Sequence, residues 1–557
     1  MKSKKLKLRI MTLILAGIMA FVATAFESAD NDINRDGTLI FGGWGWDYNF
    51  NPLLSANAPD SNINTLVFEG LLSGNEQGEI PLIATHWERC EDNLTYTFYM
   101  DERAAFSNGR PLTAHDVYFT FTTAAHPDYI GPRTNVVASL EGFEEFNSGE
   151  ADSLSGINII DDHTIQFTHT IASPRNIMNF SLGILCAEHY AWETWDDFLR
   201  LAGKPFGSGQ FVFIDKVIDE WIEFERNENY WNCDWQINLA GITIYDLHFS
   251  DVITDSVLAG EVHMAQVNTN LENLRLFDAM QGITAVSFTS NSMLTLTFNT
   301  TRPHLSDHRV RQALVYAFDT RAAIVTDAGS PRLRAIGVAP FSPVSWAFPP
   351  AGTLNNYDFN MQRAAQLMDE AGWTMGASGY RYNADGERFS LHFLAYHNQL
   401  WVYTLVDQVW DSWSELGVEL DMEWMDFNQM LDRVIGTPPE DRVFDVFPVG
   451  WQLSSDPDMA DSKWDFNAHR AGGFNSSGWY NTRFQELIEL ARTTFDQEER
   501  VAYYHELAAM TNYYLPVWVI STGVHLWAVD SNVQNLEFGA FMHPFLAITQ
   551  QGTWIDE

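Results

Sequence analysis

The chain has 557 residues, of which 46% are hydrophobic and 14% aromatic, and its formal net charge at pH 7 is −41. That length exceeds what one hydrophobic core usually organises, and the apolar content excludes a disordered acidic chain, so we expect two or three folded domains. The acidic balance provides no basic surface for phosphate groups, which excludes nucleic acid as a partner.

The first residues have the pattern of a secretory signal peptide. Five basic residues at the start precede an apolar run from Ile10 to Phe26, and Ala23 and Ala25 form an A-x-A cleavage pattern. The run is short for a membrane-spanning helix, although a retained N-terminal anchor is the alternative. We assign residues 1–25 to the signal peptide and expect a secreted protein, either periplasmic or associated with the cell envelope.

The residues that commonly bind metals form no recognisable motif. Cys90, Cys186 and Cys233 are the three cysteines, and their spacing fits no zinc site. The segment Asp32–Leu39 begins like a calcium loop, but the twelfth position is Gly43 where such loops carry a bidentate glutamate. A polar linker before the first strand is therefore favoured, and we predict neither a metal site nor a cofactor.

Strand and helix patterns follow one another through the first half of the chain. Leu94–Met100 alternates like a half-buried strand, and Thr113 with Asp116 forms a capping box that opens a helix at Ala114. The segments FGSGQFVF and EWIEFERNENYW indicate a pair of strands, and Met293–Thr300 indicates another. In the helix that follows, the apolar residues recur at helical spacing: Val310, Ala313, Leu314, Ala317 and Phe318.

The second half contains the same mixture. Helices are predicted for Met361–Trp373, for YTLVDQVWDSWSELGV and, as a pair, for RFQELIELARTTFDQEERVAYYHELAAMT. A hairpin turns at Asp385-Gly386, and ELDMEWM is a further strand. Because strands and helices are mixed throughout, the fold class is α/β or α+β with several lobes.

Motifs of common catalytic sites are missing from the sequence. It contains no nucleotide-binding G-x-x-x-x-G-K-[ST], no H-E-x-x-H and no G-x-S-x-G. The 73 acidic residues form many chance carboxylate pairs, so pairs of the glycosidase type carry no information. We predict no catalytic residues, and a secreted hydrolase is the remote alternative.

Eight segments in order resemble the bacterial extracellular solute-binding proteins that serve peptide, nickel and some oligosaccharide ABC transporters. The signature positions are Glu69, Gly70, Leu71, Pro81, Ala84, Trp87, Leu94, Thr95, Phe98, Phe106, Gly109, Leu112, Thr113, Ala114, Asp116 and Val117. Later segments are FGSGQF, ERNENYW, FNT with LSDHRVRQALVYAFD, AQLMDEAGW, YNTRFQELIELA and LPVW. The resemblance covers nearly the whole chain after the signal peptide.

The resemblance implies a three-lobed periplasmic-binding-protein-like α/β fold, in which two lobes joined by a hinge close over a ligand and an extra lobe is attached. The implied divisions are 26–55, 205–292 and 525–557 for lobe I, 56–204 for the accessory lobe II, and 293–524 for the ligand-closing lobe III. The hinge would run near Met293–Phe298 and Ser521–Leu526. Ligand contacts to both lobes would shift the population toward the closed state.

By the same resemblance, the protein captures a small solute and delivers it to an ABC permease with a separate ATPase. We expect a monomer that binds an oligopeptide-class solute. Two departures affect this ligand, because a buried amine and a buried carboxylate each need a charged partner. Where peptide binders carry an aspartate for the amine this chain has Ser454, with Asp456 two residues later. The place of their carboxylate-binding arginine is taken by Tyr396.

Tryptophans favour the alternative, a receptor for an oligosaccharide. Sugars stack on aromatic rings and form hydrogen bonds with acidic side chains, and the segment GWQLSSDPDMADSKW (450–464) offers both. A core or inter-lobe position is the alternative for each tryptophan, and nickel or haem-type ligands form a third hypothesis. The candidate ligand-binding residues are Trp44, Trp46, Tyr396, Trp401, Trp451, Ser454, Asp456, Asp458, Trp464 and Trp479.

Overall fold

The computed structural model of the chain describes residues 37–75, 78–247, 250–330, 333–397, 399–460 and 462–556. The predicted signal peptide and the first five residues of the Asp32–Leu39 segment lie outside this part. Within it, no helix combines the length and the apolar character that crossing a membrane requires.

Residues 37–204 contribute one strand to a large sheet and build a separate four-stranded antiparallel sheet. The strands are β1 (Thr38–Gly43), β2 (Leu72–Asn75), β3 (Gly78–Pro81), β4 (Ala84–Arg89), β5 (Thr95–Met100), β6 (Ile157–Asp161) and β7 (Thr164–Thr168). The helices are α1 (Ala58–Val67), α2 (Ala114–Ala125), α3 (Thr134–Val137), α4 (Phe143–Asn147) and α5 (Trp195–Arg200). The four-stranded sheet has the order β4-β5-β7-β6, and a 3₁₀ helix, Pro174–Ser181, follows it.

Two predictions for this part are confirmed. Strand β5 alternates between buried and half-buried residues, as its sequence indicates. Helix α2 begins at the predicted capping box, in which the backbone N–H and the hydroxyl of Thr113 both donate to the Asp116 carboxylate, at 3.0 and 3.2 Å.

Residues 205–291 complete one half of the large sheet. They form β8 (Phe211–Val217), β9 (Trp221–Arg226), β10 (Gly241–Asp246), α6 (Ser250–Leu258), β11 (Met264–Val267), α7 (Leu271–Ala279) and β12 (Ile283–Thr289). The predicted pair of strands is observed as the antiparallel ladder β8–β9. Strand β1 pairs in parallel with β10 and β11, and its six residues are all buried, because neighbouring strands flank it on both sides.

Residues 292–516 build the other half of the large sheet and the helices around it. The strands are β13 (Ser292–Phe298), β14 (Arg334–Ile336), β15 (Thr374–Met375), β16 (Arg381–Tyr382), β17 (Ser390–Tyr396), β18 (Glu419–Met425) and β19 (Val446–Gln452). The helices are α8 (Pro303–Ser306), α9 (His308–Tyr316), α10 (Thr320–Ala328), α11 (Met361–Glu370), α12 (Leu400–Glu415), α13 (Phe427–Leu431), α14 (Thr482–Thr493) and α15 (Gln497–Tyr514). The predicted strand ELDMEWM is β18 over its full length.

One long strand joins the two halves of the sheet. The last elements are β20 (Val517–Asp530), β21 (Val533–Gln534), α16 (Pro544–Gln551) and β22 (Trp554–Ile555). The first part of β20 pairs with β13 and β14, and the part from Val524 onward pairs with β11 and β12. The chain also passes between the halves at residues 290–291, between β12 and β13.

The hydrophobic clusters follow this division. One continuous cluster includes Phe98 and Phe167 of the four-stranded sheet together with Ile242 and Ile244 of β10. Two further clusters contain alternate residues of β20, one with Trp518 and Ile520 and the other with Val517 and Val519. Because alternate residues of a strand point to opposite faces, these two clusters cover opposite faces of the β13–β19–β17–β18 half of the sheet.

Candidate ligand-binding cleft

Two cavities, of about 610 and 670 Å³, lie between the β13 half of the fold and the rest of the molecule. The first is lined by residues that follow α1 and by α16 on one side, and by Trp346 and Arg500 on the other. The second is enclosed by residues of 132–179 and by the segment 451–464. Asp456 lines both cavities, so we treat them as neighbouring parts of one cleft, of the size that ligand sites usually have.

The wall formed by residues 453–460 is fixed by hydrogen bonds from Asn291 and by two local turns. The side-chain amide of Asn291, at the passage between β12 and β13, donates to the carbonyl oxygens of Leu453 and Ser454, both at 2.9 Å. Beyond them, Asp456 accepts from the N–H of Asp458 at 3.0 Å. Asp458 in turn accepts from the N–H of Ala460 at 3.0 Å. These are two consecutive Asx turns, a local motif typical of aspartate.

Each of the two aspartates also has an arginine partner. Asp456 Oδ1 lies 2.8 Å from Arg500 Nη2, and Arg500 stands 5.1 Å from the ring centroid of Trp346. Asp458 Oδ2 lies 3.2 Å from Arg175 Nη1 on the opposite side of the cleft. The second oxygen of Asp456 has no hydrogen bond to any residue that the structure describes.

The first cavity has an anionic lining. Glu69, Glu79 and Asp456 face a single described cation, Arg500. Glu69 is fully enclosed and accepts hydrogen bonds from the Tyr230 hydroxyl at 2.6 Å and from Trp231 Nε1 at 2.7 Å. Burial raises the pKa of Glu69 to about 7 despite these bonds. Burial, and after it the nearby charge of Asp456, also raise the pKa of Glu79.

The second cavity has a cationic lining, although the chain as a whole is strongly acidic. Its described charged residues are Arg133, Arg175, Lys463, Arg492, Asp456 and Asp458. Arg133 donates to the carbonyl oxygens of Pro52 and Ser55, at 3.2 and 3.0 Å. With both aspartates paired to arginines, Lys463 and Arg492 are left without a hydrogen bond or an ion pair in the part that the structure describes.

Lys463 is the most unusual of these groups. Only 7% of its surface is exposed, and its Nζ lies 4.1 Å from the ring centroid of Trp451 and 5.7 Å from that of Trp464. Burial lowers its pKa from 10.5 to about 7. The sequence contained a signal for this residue, because the chain has only three lysines after residue 25 and one of them stands within the tryptophan-rich segment.

Half of the candidate residues come together in this cleft. Those that line the second cavity are Trp451, Ser454, Asp456, Asp458 and Trp464. Arg175, Lys463 and Arg500 join them there or in the first cavity, and none of these three is among the residues predicted from the sequence.

The other candidates line neither cavity. Tyr396 is buried, and its ring centroid lies 6.2 Å from that of Trp401 in α12. Trp46 is buried in the cluster around β1, whereas Trp44 is 45% exposed. Trp479 packs on Phe484 and Tyr514, at 5.0 and 5.3 Å between ring centroids.

The cysteines are unpaired in the structure, with Cys90 and Cys233 exposed and Cys186 buried. Among the described residues, no group of three or more histidine, cysteine, aspartate or glutamate side chains is arranged to hold a metal ion.

Comparison with known proteins gives consistent results for sequence and fold. Residues 79–473 match the family described as bacterial extracellular solute-binding proteins, family 5 Middle. The oligopeptide-binding protein AppA of Bacillus subtilis is 22% identical over 522 residues, which cover 91% of each chain. The dipeptide-binding protein of Escherichia coli is 23% identical over 516 residues, which cover 87% of this chain and 89% of that protein.

A solved structure supports the same fold. AppA of Bacillus subtilis in complex with a nonapeptide superposes with a TM-score of 0.74 at 20% identity, covering 94% of this chain and 99% of that one. The predicted periplasmic-binding-protein-like fold with several lobes is thereby confirmed.

Proposed function

Because this chain belongs to family 5 of the bacterial extracellular solute-binding proteins, we propose that it is the substrate-binding protein of an ABC importer and takes up an oligopeptide-class solute. The family accounts for the binding of a solute. The peptide class is supported by relatives named for oligopeptides and dipeptides and by a structural neighbour that holds a nonapeptide.

The choice of a peptide as the ligand rests on one observation. The two adjoining cavities have linings of opposite charge. A peptide has an amine at one end and a carboxylate at the other, and each loses its water shell when the lobes close over it. The anionic first cavity compensates the amine, and the cationic second cavity compensates the carboxylate. An uncharged oligosaccharide would bury the same protein charges without compensation, so this alternative is not favoured.

The amine would lie near Asp456 and Glu79. One oxygen of Asp456 is bonded to Arg500 and the N–H of Asp458, which leaves the other oxygen for the amine, and the residue lines both cavities. Glu79 faces it from β3. Asp456, two residues after Ser454, would take the role of the family's amine-binding aspartate, and Glu79 would assist it.

Delivery would depend on closure of the cleft. We propose that lobes I and II, which share one hydrophobic cluster, move as one body against lobe III about the two passages between the sheet halves. The ion pair of Arg175 with Asp458 and the contact of Arg89 with Phe495, 4.3 Å from the guanidinium carbon to the ring centroid, would hold the two bodies together when the cleft is closed. The closed monomer, outside the cytoplasm and without catalytic activity of its own, would present the peptide to the permease and its separate ATPase.

Binding can be tested by thermal unfolding and calorimetry of the purified chain. We expect a mixed-sequence pentapeptide pool to raise the melting temperature by mass action, and a pool of neutral oligosaccharides to leave it unchanged. Stabilisation by the oligosaccharides alone would contradict the peptide proposal. Chemical turnover of a bound peptide would contradict the role of a pure receptor.

A further inference from the structure

The second cavity contains a cation that nothing in the described protein neutralises. We propose that Lys463 binds a carboxylate group of the captured peptide, with the ring of Trp451 as the platform that holds its ammonium group in place. This inference rests on the proposed function and adds to it the residue that recognises the anionic end of the ligand.

The acidic side chains that line the cavity of Lys463 already have other partners, so its ammonium group can bind a ligand. Among the charged groups that line its cavity, Asp456 is bonded to Arg500 and Asp458 to Arg175, and Arg133 is held by backbone carbonyl oxygens. A cation over an aromatic ring regains part of its lost hydration energy, and here the ring of Trp451 lies 4.1 Å from Nζ. A ligand that supplies an anion recovers more of that energy through a charge-assisted hydrogen bond.

Arg492 is the other unpaired cation of this cavity, but it differs from Lys463 in its burial. Lys463 is 7% exposed, whereas Arg492 is only half-buried and keeps contact with solvent. A buried charge gains more from a partner than a solvated one, since its interactions are screened less. The buried lysine is therefore the primary partner of the carboxylate.

The carboxylate has two possible sources in a peptide, the C terminus and an aspartate or glutamate side chain. Both offer the same chemistry to the ammonium group, and four pentapeptide pools distinguish them. Two mixed pools without acidic residues differ in carrying a free or an amidated C terminus. Two amidated pools differ in containing Asp and Glu or Asn and Gln.

The variant Lys463→Met keeps the length of the side chain and removes its charge. By calorimetry, we expect the wild-type chain to bind one carboxylate-bearing pool about tenfold to a hundredfold more tightly than its neutral counterpart. In Lys463→Met that difference should vanish, and in Lys463→Arg most of it should return. Lys204, exposed and outside both cavities, provides the matched control Lys204→Met, which should bind like the wild type.

Titration gives a second readout. Pairing with a carboxylate favours the protonated lysine, so the preference for the carboxylate-bearing pool should decrease as the pH rises from 7 to 9, and the variant should show no such trend. If Lys463→Met does not fold, Lys463→Gln replaces it.

Three results would overturn the inference. A preference for carboxylate that persists in Lys463→Met would assign the contact to another cation, such as Arg492. Equal binding of all four pools to the wild type would mean that no carboxylate is recognised. Absence of binding by every pool would contradict the proposed function itself, which keeps the two failures apart.

Discussion

The two cavities of the cleft differ in how their charges are compensated. In the first, Glu69 accepts hydrogen bonds from Tyr230 and Trp231, and Asp456 is paired with Arg500. In the second, Lys463 lies over an aromatic ring without a hydrogen bond or an ion pair among the described residues. Removing a side chain that is held by hydrogen bonds or an ion pair leaves its partners unsatisfied and destabilises the fold, whereas a buried cation without such partners weakens the fold until a ligand arrives. The contrast separates side chains that hold the cleft together from one that receives the solute.

The largest effect should come from removing a buried side chain that accepts two hydrogen bonds. Glu69→Ala leaves the Tyr230 hydroxyl and Trp231 Nε1 buried without their acceptor, so we expect the free energy of unfolding to fall by about 4 kcal/mol. Glu69→Gln retains an acceptor oxygen and should lose less. Urea unfolding of both variants measures the difference, and an unchanged midpoint for Glu69→Ala would refute the structural role.

The same experiment has a pH dependence with a defined sign. Because burial raises the pKa of Glu69 from 4.5 to about 7, the folded state binds a proton that the unfolded state has lost between these values. The contribution of Glu69 to stability should therefore decrease as the pH rises from 4.5 to 7. Glu69→Gln has no carboxyl group at this position and should not show this decrease.

Removing the uncompensated charge should have the opposite sign. Between pH 7 and 10.5 the unfolded chain binds a proton at Lys463 that the folded chain does not, so native stability should rise with pH across this window. Lys463→Met should gain on the order of 2–3 kcal/mol at pH 7 in the absence of ligand and nothing near pH 10.5. Urea denaturation of the wild type and the variant at both pH values measures this difference in stability. A destabilised variant at pH 7 would show that the lysine is compensated in the native state.

The ring beneath Lys463 can be tested against a tryptophan outside the cleft. Trp451→Ala removes the platform and should weaken binding of the pentapeptide pool at least tenfold, about 1.4 kcal/mol. Trp44→Ala, at a tryptophan that is 45% exposed and lines neither cavity, should bind normally. An equal loss of peptide affinity in both variants would contradict a specific role of Trp451 in binding.

The smallest effect is expected for the ion pair that crosses the cleft. Arg175 is partly exposed, and the buried Asp458 keeps its hydrogen bond from the N–H of Ala460, so Arg175→Met should lower stability by about 1 kcal/mol. It should nevertheless open the ligand-free protein, which small-angle scattering would detect as a larger radius of gyration. Arg200→Met, which breaks the exposed 2.8 Å pair with Asp197 within α5, is the matched control and should leave the radius unchanged.

Local structure was predictable where neighbouring residues determine it. The capping box of α2 and the full extent of β18 followed from patterns within a few positions. The segment 450–464 was selected because its composition suits a binding surface, and five candidates from it line the second cavity. Its Asx turns are also local, since each joins residues two positions apart.

The remainder of the site depends on distant pairings. Arg175 and Asp458 are 283 positions apart, and no pattern in the chain links them. Tryptophan is used both in cores and on binding surfaces, and its sequence context did not distinguish Trp401 and Trp479 from Trp451. By resemblance, Tyr396 stands where peptide binders carry their carboxylate-binding arginine, but it is a buried core residue, and the partner that we propose, Lys463, comes from another segment.

The position of β20 has a consequence for biogenesis. This strand begins at residue 517 and lies between the two halves of the large sheet, so neither half can be completed until the end of the chain is available. Contacts of such sequence separation form slowly, since a long loop must close first. If the chain is exported as we propose, late completion would leave it without its final tertiary structure until it had crossed the membrane.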